Sequence, residues 1–296
     1  MIDPSLLSLA QGNWAEEYRL RHQLRKRPDS HAQWEKRSKN YQENCGQGAY
    51  IEAFISKLKL ESLCQSLQKE SLRILDIGCG PGTLALPLAA AGHELSCLDF
   101  SKAMLNVLEK RAQEAHLCDK ITCIHGSWDD DWSTLGIEPG FDLLIASRST
   151  IVPDLEWAFK KLSSYAASKV AITMVGGLSP KFDEKLARHF GQPVARGLDS
   201  QYAINILLQM GYLPEMSFIS VQRQSRYETK AQAYESAREQ LSGSLSHEQE
   251  CKLKAYMDEH LIKDESQAEE PWLKNYIHKV LWAYISWDPS SQYFDD

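Results

Sequence analysis

The stretch RILDIGCGPGT, residues 73–83, decides the reading of this chain. An apolar run containing Ile74, Leu75 and Ile77 carries the acid Asp76 near its end and passes directly into Gly78-x-Gly80-x-Gly82. The following segment, 82–91, is rich in Ala and Leu and stops at Gly92. The run reads as a buried strand and the segment as a helix closed by a C-terminal glycine. Glycines between them let the chain turn tightly and bring bare backbone N–H groups against a ligand at a helix N-terminus. The next apolar run, ELSCLDF (94–100), also ends on an acid, and Asp99 stands 23 residues after Asp76. A carboxylate there can take both hydroxyls of a ribose. The loop is G-C-G-P-G-T, with its third glycine one residue too early for the dinucleotide fingerprint G-x-G-x-x-G. No G-x-x-x-x-G-K-[ST] occurs, so a P-loop NTPase is excluded.

Outward from this unit, apolar runs alternate with helical patterns. KITCIHG (120–126), FDLLIAS (141–147) and KVAITMVG (169–176) are short, continuous and bounded by Gly, Asp or Ser, as strands buried on both faces are. Residues 102–116 follow Ser101, a fitting N-cap, and 154–166 and 199–210 complete the helices. The pattern predicts an α/β protein with a doubly wound, mostly parallel sheet. SFISVQRQSRY (217–227) reads as a sixth strand, and 229–265 looks helical. Residues 271–287 are open to two readings. Trp272, Leu273, Tyr276, Ile277, Val280, Leu281 and Tyr284 fit helical spacing after Pro271, yet VLWAYISW (280–287) is dense in the β-branched and aromatic residues of a buried strand.

The chain has 296 residues and a net charge of −7, which makes it a poor general polyanion binder. That charge is unevenly spread. Residues 19–40 hold eight Lys and Arg against two acids, while 228–270 hold eleven acids against five bases. The basic stretch reads first as a solvated helix face. Seven cysteines without a C-x-x-C pair argue for reduced thiols in a cytoplasmic protein. The N-terminus lacks the features of a signal peptide, and no apolar run approaches the about 18 residues that span a bilayer. The histidines have no metal-ligand spacing, so no metal is expected.

Residues 50–176 resemble the core of the class I S-adenosylmethionine-dependent methyltransferases of the small-molecule type. The resemblance implies a Rossmann-like, seven-stranded sheet with S-adenosyl-L-methionine as cofactor. Carried over by position, Asp76, Gly78, Gly80 and Gly82 hold the methionyl part and Asp99 the ribose. LDFSKAML (98–105) is similar to the family's D-x-S-x-x-M-L pattern and places Phe100 and Met104 beside the adenosine. HGSWDD (125–130) falls at the family's adenine loop, with Ser127 in place of the usual acid and Trp128 in place of the small residue. Ser147, ending the fourth strand, joins the cofactor set. HAQWEKRSKNY (31–41) resembles the helix that covers the cofactor, so Trp34 and Tyr41 are expected to face it and Arg37 to pair with its carboxylate. The family's closing strand tips 280–287 towards strand. The implied layout is an N-terminal helical cap (1–47), the core (48–228), a helical insertion acting as a substrate lid (229–270) and a closing strand and tail (271–296).

The expected reaction is in-line transfer of a methyl group to a small-molecule acceptor. No catalytic base is assigned; Arg148, His125 and Tyr41 are candidates near the mouth, as is Asp129. Arg148 follows the fourth strand, and it stands between anchoring an acidic substrate group and making a structural salt bridge. S-R-S-T stands where adenine amino-methyltransferases carry an N-P-P-Y-like sequence, so DNA is not expected as a partner and RNA is disfavoured. The alternatives are an RNA or protein methyltransferase using the basic N-terminal stretch, and a non-catalytic protein that binds the cofactor.

Overall fold

The structure is a computed structural model that describes residues 12–24, 48–178, 180, 182–194, 197–241, 244–265 and 271–292. The chain divides into two compact units. The first takes the described residues up to Met174, Leu198–Ile219 and the chain from Ala283; the second takes Val175–Gly197 and Ser220–Trp282.

The strands are β1 (Arg73–Ile77), β2 (Glu94–Asp99), β3 (Ile121–His125), β4 (Phe141–Ser147), β5 (Ala166–Val175), β6 (Glu215–Tyr227), β7 (Leu261–Lys263) and β8 (Trp272–Trp287). Their order in the sheet is β3-β2-β1-β4-β5-β8-β6, with β7 paired to β8. The pairs β1–β2, β2–β3, β1–β4 and β4–β5 are parallel. This is the expected doubly wound, mostly parallel sheet, but it holds eight strands among the described residues and not the expected seven, the short β7 being added on β8. β1 is buried from Ile74 onward and β4 from Phe141 to Ala146, which is why both strands read as unbroken apolar runs. The chain winds outward through β2 and β3, then returns to start β4 beside β1. The switch point therefore lies between the C-terminal ends of β1 and β4, where open α/β sheets bind ligands.

Helices precede and connect these strands along the chain. In chain order they are α1 (Trp14–Leu24), α2 (Gly48–Leu58), α3 (Leu60–Leu67), α4 (Ala85–Ala90), α5 (Lys102–Glu114), α6 (Leu155–Tyr165), α7 (Glu184–His189), α8 (Asp199–Gln209), α9 (Lys230–Arg238) and α10 (His247–His260). Ser101 caps α5 as expected, its hydroxyl accepting from the Met104 N–H at 3.3 Å. Asp154 caps α6 in the same way. α1 packs on α6 and α8: the rings of Trp14 and Tyr18 both meet Tyr202 edge-on at 5.8 Å, and the Tyr18 hydroxyl donates to the Val152 carbonyl at 3.1 Å. This described part of the N-terminal segment belongs to the core of the first unit.

In the second unit, Leu186, Ala237, Leu253 and Met257 belong to a separate apolar cluster. The segment 229–265 forms two helices followed by the short strand β7, so it is not helical throughout. β8 settles the ambiguity at 271–287 as strand. Between Lys274 and Val280 burial alternates with period two, the even-numbered residues lying inward. The apolar pattern misleads here because Lys274 is 2% exposed on the inner face while Ile277 is 58% exposed on the outer one. Lys274 is tolerated inside because Asp183 Oδ2 stands 3.2 Å from its ammonium and the Tyr276 hydroxyl 3.1 Å.

Candidate functional site

At the switch point the glycine turn is held from below. The N–H groups of Gly78 and Cys79 both donate to the Leu98 carbonyl, at 2.7 and 3.2 Å. Gly78, Gly80 and Gly82 all take positive φ, at 70°, 55° and 78°, a region that L side chains enter only with strain. A Cβ on Gly78 would lie 2.4 Å from Ser149 Cβ, and one on Gly82 would lie 2.2 Å from Leu108 Cδ1. These two glycines permit close packing. Gly80 differs, since a Cβ there would meet nothing within 4 Å. The turn thus leaves a clear approach over Gly80 for a ligand.

Asp99 ends β2 beside this approach. Its Oδ2 accepts from the Gly80 N–H at 2.8 Å and its Oδ1 from the Ser101 N–H at 2.8 Å. These bonds aim the carboxylate with two of the roughly four acceptor sites such a group offers. Asp76 sits one strand away and is fully buried. Burial and the nearby Asp99 carboxylate push its pKa up to about 8, against the opposing pull of Arg148.

Arg148 is the first residue past β4 and adopts φ of 61°, rare for a residue other than glycine. Its backbone N–H donates to Thr173 Oγ1 at 3.0 Å, and its guanidinium lies 4.4 Å from the centroid of the Tyr50 ring. The Tyr50 hydroxyl is held by Ser147 Oγ at 2.6 Å and Thr173 Oγ1 at 2.8 Å, and burial raises its pKa. The next residue, Ser149, donates to the Ile77 carbonyl at 2.5 Å, tying the β4 loop to the end of β1.

The loop after β3 is closed from inside. The Ser127 N–H donates to Asp130 Oδ2 at 2.7 Å, and the Trp132 indole donates to the Ser127 carbonyl at 2.9 Å. Lys161 of α6 donates to the carbonyls of Trp128 at 2.8 Å and Asp130 at 2.6 Å, with its ammonium 4.3 Å from the Trp132 ring centroid. Burial lowers the pKa of Lys161, and Asp131, Asp129 and Asp130 oppose the shift. The Trp128 indole donates to the Ser149 carbonyl at 3.2 Å, so the β3 and β4 loops touch.

The structure therefore gathers Asp76, Gly78, Gly80, Gly82, Asp99, Trp128, Ser147 and Arg148 around one end of the sheet. Met104 lies in the first turn of α5 and is buried. His125 ends β3, and its Nε2 donates to the Phe100 carbonyl at 3.0 Å. Asp129 donates its N–H to Ser127 Oγ at 3.2 Å within the loop. Trp34, Arg37 and Tyr41 lie outside the described residues. Sequence reasoning missed Tyr50, Ser149, Thr173 and Lys161. Tyr50 and Thr173 are 123 positions apart, and no local pattern joins them. Among the described residues no group of three or more His, Cys, Asp or Glu could hold a metal ion, and no helix is long and apolar enough to cross a membrane.

Known proteins with similar sequences bear on this site. A family described as a methyltransferase domain matches residues 74–167. An uncharacterized protein of Haemophilus influenzae is 32% identical over 204 residues, spanning 67% of this chain and 73% of that protein. A ubiquinone biosynthesis O-methyltransferase of Chromobacterium violaceum is 24% identical over 179 residues, 54% of this chain and 77% of the relative. Among solved structures, a geranyl diphosphate C-methyltransferase of Streptomyces coelicolor aligns with 83% of this chain and 85% of its own, at 12% identity and a TM-score of 0.42. The matched domain opens inside β1 and closes in β5, enclosing the glycine turn, Asp99 and Arg148. On that ground the chain belongs to the class I S-adenosylmethionine-dependent methyltransferase family, with S-adenosylmethionine as its cofactor.

Proposed function

We propose that this methyltransferase acts on a small-molecule acceptor in the cytoplasm. The observation that carries the reading is the open approach over Gly80, bounded by the aimed carboxylate of Asp99. These residues fit the cofactor: a turn that a side chain at Gly80 would fill, and an acid directed by two backbone N–H groups towards a diol. When bound, S-adenosylmethionine supplies a methyl group already activated on a sulfonium. The chain's own part is to hold and orient. The glycine turn is assigned to the methionyl part and Asp99 to the ribose. Phe100, Met104, Ser127 and Trp128 are assigned to the adenosine, and Trp34, Arg37 and Tyr41 to the cover over the cofactor. Asp76, with its pKa near 8, retains its proton at neutral pH and offers a donor in place of a second negative charge. A general base is needed only where the acceptor must first lose a proton.

Two further observations favour a small acceptor over RNA or protein. The net charge is −7, and the described bases at the start of the basic N-terminal stretch are engaged in ion pairs. Arg19 meets Asp154 at 2.9 Å and Arg21 meets Glu17 at 3.3 Å. A relative named for ubiquinone biosynthesis points the same way. The cysteines, odd in number and without a C-x-x-C pair, fit a reducing compartment. The test is incubation with methyl-labelled S-adenosylmethionine and a cell extract separated by size. Label should enter the small-molecule fraction; label confined to RNA or protein overturns the reading.

A further inference from the structure

We propose that Lys161 is a positioning residue for the cofactor: by fixing the backbone of the loop after β3, it holds in place the residues on which the adenosine binds. The inference rests on the assignment of Ser127 and Trp128 to the adenosine made above and adds the residue that orders them. Its first ground is where the ammonium bonds. Lys161 comes from α6, 33 positions beyond Trp128, and donates to the carbonyls of Trp128 at 2.8 Å and Asp130 at 2.6 Å. The buried Trp132 takes the Ser127 carbonyl through its indole N–H at 2.9 Å. Trp132 thus anchors the peptide before Trp128, and Lys161 anchors the peptide after it. A trans peptide sets its N–H opposite its carbonyl, so the Trp128 N–H faces away from the Trp132 indole. A loop ordered in this way before a ligand arrives is spared the cost of ordering on binding.

Transmission is the second ground. The Trp128 indole donates to the Ser149 carbonyl at 3.2 Å, and the Ser149 hydroxyl donates to the carbonyl of Ile77, the residue before Gly78, at 2.5 Å. The order imposed by Lys161 on Trp128 therefore reaches the start of the glycine turn through hydrogen bonds. One cation braces both loops that border the turn.

The third ground is the choice of a cation. A neutral donor could satisfy two carbonyls, but this loop carries Asp129, Asp130 and Asp131 in succession, and a cation also offsets their charge. Bonds from an ionised donor are about twice as strong as neutral ones. The ammonium further lies 4.3 Å from the centroid of the Trp132 ring and 5.2 Å from that of Trp157, within cation–π range. The charge is kept although burial opposes it, lowering the Lys161 pKa against the pull of the three acids.

The experiment titrates the full chain calorimetrically with S-adenosylhomocysteine and with 5′-methylthioadenosine, which keeps the adenosine and lacks the amino-acid end. Lys161→Met retains a long apolar side chain against the tryptophan rings and loses the donor, Lys161→Arg keeps the cation, and Trp128→Ala removes the indole. Urea denaturation checks that each variant is folded; should Lys161→Met fail, Lys161→Gln replaces it in the same comparisons. Lys161→Met should weaken both ligands about tenfold, and Lys161→Arg should recover most of that loss. Trp128→Ala should weaken both about tenfold on its own but by less than about threefold in Lys161→Met, since residues that act as a unit are not additive. Wild-type affinity in Lys161→Met beside weakened binding in Trp128→Ala overturns the inference and leaves the adenosine assignment standing. Fully additive effects overturn it as well, because Lys161 would then act other than through Trp128. Weakened S-adenosylhomocysteine with unchanged 5′-methylthioadenosine moves the effect to the methionyl end and also overturns it. Unchanged affinity in both Lys161→Met and Trp128→Ala removes the loop from the adenosine, and the inference falls with that assignment.

Discussion

The two glycines Gly78 and Gly80 should respond differently to the same substitution. Both have positive φ, so alanine at either incurs left-handed strain of ~1–2 kcal/mol, offset in part by the reduced freedom of the unfolded chain. For Gly80→Ala nothing else is lost, because the new methyl meets nothing within 4 Å; destabilisation of ~1 kcal/mol is expected. For Gly78→Ala the methyl would lie 2.4 Å from Ser149 Cβ. Ser149 cannot retreat without breaking its bond to the Ile77 carbonyl. Overpacking of ~1–3 kcal/mol adds to the strain, for a total of ~3 kcal/mol. Binding should show the opposite ranking per unit of stability lost. Gly80→Ala fills the approach and should weaken S-adenosylhomocysteine at least about tenfold while the protein stays folded, a loss of ~1.4 kcal/mol or more. Urea denaturation and titration calorimetry on both variants give the comparison. Wild-type affinity in Gly80→Ala, or equal stability of the two variants, refutes the reasoning. Gly78→Ala combined with Ser149→Gly should recover the overpacking part.

Three other outcomes are expected. Asp76 binds its proton more tightly folded than unfolded, so its contribution to stability falls as pH rises from its ordinary 3.8 to about 8. Denaturation across that window should show Asp76→Asn gaining on the wild type as pH rises, and parallel profiles would count against it. Lys161→Met removes the donor to the carbonyls of Trp128 and Asp130. It should cost ~1–3 kcal/mol and speed hydrogen exchange at the Ser127 and Asp129 amides, whereas unchanged exchange would show that the loop closes without it. Lys274→Met leaves the half-buried Asp183 beside Tyr276 without its cation and should cost ~3 kcal/mol. Adding Asp183→Asn should return part of that loss, and a single variant as stable as wild type would overturn this account of β8.

Much of the first unit was legible because its signals are local. Asp76, the three glycines and Asp99 fall within one strand–turn–helix–strand segment, and each residue type follows from the backbone or the ligand it must face. The strands β1 and β4 are buried on both faces, so hydrophobicity alone marks them. β8 was ambiguous for a physical reason: a buried Lys274 paired with Asp183, and an exposed Ile277, invert the usual sides of a strand. β7 was missed because three residues carry no periodicity. The platform under Arg148 was beyond sequence reasoning. Tyr50 comes from α2, Ser147 from β4 and Thr173 from β5, and only the fold brings their hydroxyls together. Lys161 was equally hidden, since its partners are backbone carbonyls, which any residue could supply.

The most direct measurement is equilibrium dialysis of the full chain with labelled S-adenosylmethionine, alongside Asp99→Ala checked for retained folding by circular dichroism. Saturable binding to the wild type is expected, with affinity reduced at least about tenfold in the variant, because the carboxylate that orders the Gly80 turn and is assigned to the ribose is gone. No saturable binding, or equal affinity in the two proteins, would contradict the assignment of the cofactor to the glycine turn and Asp99.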